Sequence, residues 1–121
     1  LPPTRFMDVV TQFQGALDTP NLRYWGDPEQ VVTRIRSSGH ELAAIARTDS
    51  DVYLWPEPKE FNTFEYFRDA QELGIHRCII GATHELVEEW GMLEPCADWV
   101  GRLVPEVPVR PMRTAEFYWR S

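Results

Sequence analysis

Hydrophobic positions along the chain change their period several times, and each change marks an element. Phe6, Val9, Val10, Phe13 and Leu17 recur at helical spacing, which predicts an amphipathic helix from Thr4 to Leu17. Leu22-Arg23-Tyr24-Trp25 is short and aromatic, a connector or a small strand. Asp27 suits an N-cap, Pro28 the first helical position and Gln30 a capping box, so a second helix is expected with Val31, Val32 and Ile35 on its buried side and Gly39 at its end. Glu41 to Arg47 reads as a strand, Asp49-Ser50-Asp51 as a tight turn, and Val52-Tyr53-Leu54-Trp55 as the returning strand of a hairpin, stopped by Pro56-Glu57-Pro58.

Asn62-Thr63-Phe64-Glu65 is a second capping signature. Phe64, Phe67, Ala70 and Leu73 continue it to Gly74. Ile75 to Ile80 is apolar at consecutive positions and reads as a buried strand, and Thr83 caps a short helix from His84 to Trp90. Prolines at 95, 105, 108 and 111 leave room for edge strands or an extended arm. The expected class is α+β: a small, mainly antiparallel sheet with helices on one face and an extended proline-rich C-terminal segment. The helix between Trp55 and Ile75 allows the alternative of a crossover to a parallel neighbour. One domain is expected over 1–121, a globular body at 1–103 and an arm or edge strands at 104–121.

Composition narrows the function classes. A net charge of −7 argues against a nucleic-acid partner. The acid is concentrated between Glu41 and Glu94, while the tail carries Arg102, Arg110, Arg113 and Arg120. No apolar run is long enough for a membrane span and no signal peptide is visible, so a cytoplasmic or virion location is expected. Cys78 and Cys96 make no disulfide framework. Leu1 in place of an initiating methionine fits a processed chain or a piece of a longer polypeptide.

Candidate chemistry is sparse. His84-Glu85-Leu86-Val87-Glu88 has the outline of a metallopeptidase helix, with His84 and Glu88 as ligands four residues apart and Glu85 placed to activate water. A small metal-dependent hydrolase centred there is the enzymatic alternative, although the second ligand position holds glutamate where that motif holds histidine. Asp49 and Asp51 lack the ligand spacing and central glycine of a calcium loop and are read as turn formers. His76 and Cys78 fall on one strand face, where burial without activation is the expected state of the thiol. No catalytic residue and no cofactor is assigned.

The aromatics and arginines point to interaction. The chain has 5 tryptophans, and of its 12 basic residues only Lys59 is lysine. Tryptophan, tyrosine and arginine dominate protein–protein hot spots. Tyr24, Trp25, Arg110, Arg113, Tyr118 and Trp119 are therefore the expected binding residues of a non-enzymatic interaction or structural domain with a protein partner. An acidic effector or inhibitor that binds a host protein is a further alternative.

The run Asp49 to Trp55, followed by a helix ending Leu73-Gly74-Ile75, resembles a small module of tailed-phage polyvalent or virion-associated proteins, over residues 42–75 only. That resemblance implies a virion setting, with other virion proteins or the rest of a longer polypeptide as partners. Such modules commonly place a histidine early in the following helix, and this chain has Asn62-Thr63-Phe64-Glu65 there. No activity is carried over.

Overall fold

A computed structural model describes residues 1–37 and 41–114. The elements in order are β1 (Thr4–Arg5), α1 (Phe6–Ala16), β2 (Arg23–Trp25), β3 (Val31–Val32), β4 (Ile35–Ser37), α2 (Leu42–Ala46), β5 (Val52–Pro56), α3 (Glu65–Glu72), β6 (Cys78–Ala82) and α4 (Trp90–Leu103). A π-helical turn precedes α3 at Glu60–Phe64, and another precedes α4 at Glu85–Glu89. The chain divides into two compact units, the first Leu1–Ala82 and the second beginning at Thr83.

The fold is α+β, as expected. In the first unit a four-stranded sheet runs β2-β6-β5-β4, and β1 with β3 forms a separate antiparallel pair. β4 pairs parallel with β5 and β5 parallel with β6, while β2 runs antiparallel to β6. The sheet is therefore mixed, and the crossover alternative describes its centre: α2 links β4 to β5, and α3 links β5 to β6.

The core follows from that pairing. Tyr53 lies opposite Ile79, so their side chains share a face with Trp55 two residues on. Ile45 of α2 and Phe67 of α3 close over them in one buried cluster. The Tyr53 hydroxyl donates to the Thr48 carbonyl (2.9 Å). Arg77 donates to the Ile45 carbonyl (2.9 Å), at the end of α2 where a cation is favoured. Phe6, at the head of α1, meets Tyr24 edge-on at 6.2 Å. Tyr24 lies opposite Ile80, so this contact is on the sheet face away from Ile79.

Several local expectations are corrected. Residues 27–37 are not helical. Asp27 Oδ1 accepts the Glu29 N–H (2.9 Å) to close a turn, and the β-branched Val31, Val32 and Ile35 enter strands. Leu42–Ala46, expected as a strand, is a short helix whose three alanines carry high helical propensity. The hairpin is therefore absent, and Asp49-Ser50-Asp51 instead joins α2 to β5. His84 to Trp90 does not stop at Trp90. It continues as α4 through Pro95 to Leu103, and Thr83 makes no side-chain cap.

Asp51 is more than a turn former. One carboxylate oxygen accepts the Thr33 N–H (2.7 Å), the Arg34 N–H (3.0 Å) and the Thr33 hydroxyl (3.0 Å). The other accepts from the Arg34 guanidinium (3.2 Å). Burial pushes this carboxyl up, but the donors from Thr33 and Arg34 outweigh it and hold the group below its ordinary 3.8. A depressed folded value stabilises the fold above the unfolded value, and the contribution is lost as pH falls through the folded one. Asp51→Ala should therefore cost about 2 kcal/mol at neutral pH and progressively less below pH ~4, measured by urea denaturation across that range. A cost that does not change with pH would show that the loop is held by something other than this carboxylate.

Candidate interaction surface

α4 is 14 residues long and has no buried residue. A helix in water normally buries one face, since packing supplies most of its stability. Here Met92, Cys96, Trp99 and Leu103 fall at intervals of four, three and four, which places them on one side. Met92 is 57% exposed, and Trp99 and Leu103 are each 62% exposed. Trp90, Leu93, Ala97 and Gly101 lie round toward the other side and are half-buried.

The segment after α4 accounts for that difference. Val109 comes back against Gly101, where an added Cβ would lie 3.9 Å from the Val109 Cβ. The Arg113 guanidinium sits 5.1 Å from the Trp90 ring centroid, a cation–π distance. The proline-rich arm thus runs back along the Trp90–Gly101 side of its own helix and leaves the Met92–Leu103 side bare. Arg113, expected as a docking residue, is engaged with Trp90, while Arg110 is exposed on the same arm.

Tyr24 and Trp25 occupy β2, an edge strand of the first unit, and are 42% and 38% exposed. Tyr118 and Trp119 lie outside the described residues. The α4 stripe escaped the sequence reading because Pro95 was taken as the end of helical structure. Its 4-3-4 apolar spacing was the signal available.

His84 and Glu88 are brought together as the helical spacing required, with Nδ1 3.5 Å from Oε2 and both side chains partly exposed. Glu89 approaches the other imidazole nitrogen at 3.8 Å. Glu85 is buried, and its Oε2 has no hydrogen-bond partner among the described residues; the same holds for Thr83 Oγ1 and Trp90 Nε1. Among the described residues no group of three His, Cys, Asp or Glu side chains is arranged to hold a metal ion. Cys78 is buried and donates to Gln30 Oε1 (3.4 Å), and burial pushes its thiol up to about 12, which makes it a poor nucleophile. His76 is exposed just before β6, where its carbonyl accepts from the Gln30 amide (3.2 Å). No described helix is long and apolar enough to cross a membrane.

No family model and no curated protein matches the chain. Two crystal structures of Staphylococcus aureus protein SA1388, one described as a hypothetical protein, share its fold. The first has a TM-score of 0.67 at 17% identity and the second 0.66 at 19%. Each match covers 97% of this chain but only 39% and 34% of the respective solved chain, so this sequence spans little more than a third of their length. At that identity the likeness concerns the fold.

Proposed function

We propose that this chain is a non-enzymatic interaction domain that docks a protein partner through apolar and aromatic side chains. The observation that supports the reading is α4, a 14-residue helix with no buried residue and an uncovered stripe of Met92, Cys96, Trp99 and Leu103. Monomeric proteins seldom leave a continuous apolar stripe of this kind in water, and such surfaces mark interaction sites. The exposed Tyr24 and Trp25 on edge strand β2 add a second apolar element on the first unit. The resemblance of residues 42–75 to tailed-phage modules is what supports a virion setting for that partner.

The hydrolase alternative has one observation in its favour, the approach of His84 to Glu88. Two ligands are half of what tetrahedral zinc takes. Metal analysis of the purified protein, with a thermal shift on zinc addition, separates the readings. The expected result is no stoichiometric metal and no shift. Stoichiometric zinc that is lost in His84→Ala would overturn the interaction reading in favour of the enzyme.

A further inference from the structure

We infer that the Met92–Leu103 face of α4 receives a basic amphipathic helix. This rests on the interaction reading and names the chemistry of the partner. The stripe spans eleven residues, roughly 16 Å at the rise of an α-helix, which matches three turns of a partner helix laid along it. Methionine, cysteine and tryptophan give it soft, polarizable contact area that adapts to an apolar helix face.

Charge selects among the occupants. Glu88 and Glu89 precede the stripe by about one turn, Glu94 and Asp98 lie between its members, and all four are exposed. Arg102 is the only arginine or lysine on the same stretch, which leaves a formal balance of −3 from four acids and one base. A second copy of this chain would bring the same acids against each other. Nucleic acid and anionic bilayers are repelled by the same field. A helix whose apolar stripe is bordered by lysine or arginine meets both the apolar face and its acidic border, and that complementarity steers encounter as well as fit. The arm from 104 to 114 does not compete for this face, because its contacts at Gly101 and Trp90 lie on the other side of the helix.

The probe is a fluorescently labelled leucine–lysine peptide of roughly four helical turns, with a leucine–glutamate peptide of the same pattern as its counterpart. Anisotropy titration of the full chain should show binding of the lysine peptide that weakens with salt, and at least about tenfold weaker binding of the glutamate peptide. Leu103→Glu should weaken the lysine peptide by a similar factor of about ten, with the fold checked by circular dichroism. Glu94→Lys with Asp98→Lys should move the preference toward the glutamate peptide. Glu57→Gln with Glu72→Gln, on the first unit, should leave binding unchanged. Equal binding of the two peptides, or no loss in Leu103→Glu, overturns the inference. A concentration-dependent dimer abolished by Leu103→Glu would also overturn it, since a second copy would then be the occupant, while the interaction reading stood. If neither peptide nor self-association responds to Leu103→Glu, both fall.

Discussion

Phe67→Ala should destabilise the fold by about 3–5 kcal/mol, the range for truncating a fully buried aromatic ring. Phe67 is 0% exposed and belongs to the cluster with Ile45, Tyr53, Trp55 and Ile79. Its ring meets Tyr53 edge-on at 5.8 Å and Tyr66 at 5.5 Å, so truncation removes two aromatic contacts as well as apolar burial. The cavity would open where α3 crosses over β5 and β6, and neither strand can shift to fill it while both are paired in the sheet. A small domain has about 5–15 kcal/mol in total, so this one change removes a large share of it. Urea denaturation followed by tryptophan fluorescence measures the loss. Phe67→Leu, which keeps most of the volume, should cost less than about 1.5 kcal/mol. A loss below about 1 kcal/mol for Phe67→Ala would mean that the ring is not at the centre of the core.

Gly26→Ala should cost about 2–4 kcal/mol through two separable effects. Gly26 has φ +140, a conformation that L side chains rarely adopt. An added Cβ would also lie 2.5 Å from Cys78 Sγ and 3.2 Å from Cys78 Cα. The glycine follows β2 directly, where the chain leaves its ladder with β6, and the close approach to Cys78 is what a side chain would obstruct. A double-mutant cycle divides the two effects. In a Cys78→Ala background the sulfur contact is gone, so Gly26→Ala should cost less there while the backbone strain persists. An unchanged cost would assign the whole effect to φ, and no cost in either background would remove the close approach as an explanation.

The elements legible in the sequence are those where local preference and tertiary environment agree. α1 and α3 show helical spacing, with Val9 and Val10 buried in the first and Phe67 and Ala70 in the second. β5 and β6 are short apolar runs bounded by turn residues, and both are central strands. The misread stretch is 27–47, where cues conflict. Asp27, Pro28 and Gln30 mimic a capping box, but Gln30 reaches His76 and Cys78, and the following valines pair as strands. Leu42–Ala46 sits beside a turn cluster that suggested a hairpin, and only its alanines spoke for a helix. Asp51 was legible as a turn residue but not as the acceptor of four hydrogen bonds, because its donors on Thr33 and Arg34 are seventeen or more positions away.

The site was legible in part. His84 and Glu88 approach each other as a four-residue spacing dictates, and Tyr24 and Trp25 are exposed. The α4 stripe was hidden by Pro95, which removes one backbone donor yet leaves the helix continuous to Leu103. That arginine on the arm would stack on Trp90 could not be read from residues 23 positions apart.

The strand order carries a consequence for how the chain comes into being. β6 pairs with both β2 and β5, so it alone joins the antiparallel edge to the parallel pair. A polypeptide emerging from the ribosome cannot assemble the four-stranded sheet until residue 82 has been made. Until then β2 has no partner in that sheet, and Tyr53 lacks Ile79 opposite it. The first unit is therefore completed by its last strand, late and in one step, and a chain stalled before Cys78 would present the bare edge of β5 to the quality-control machinery of the cell.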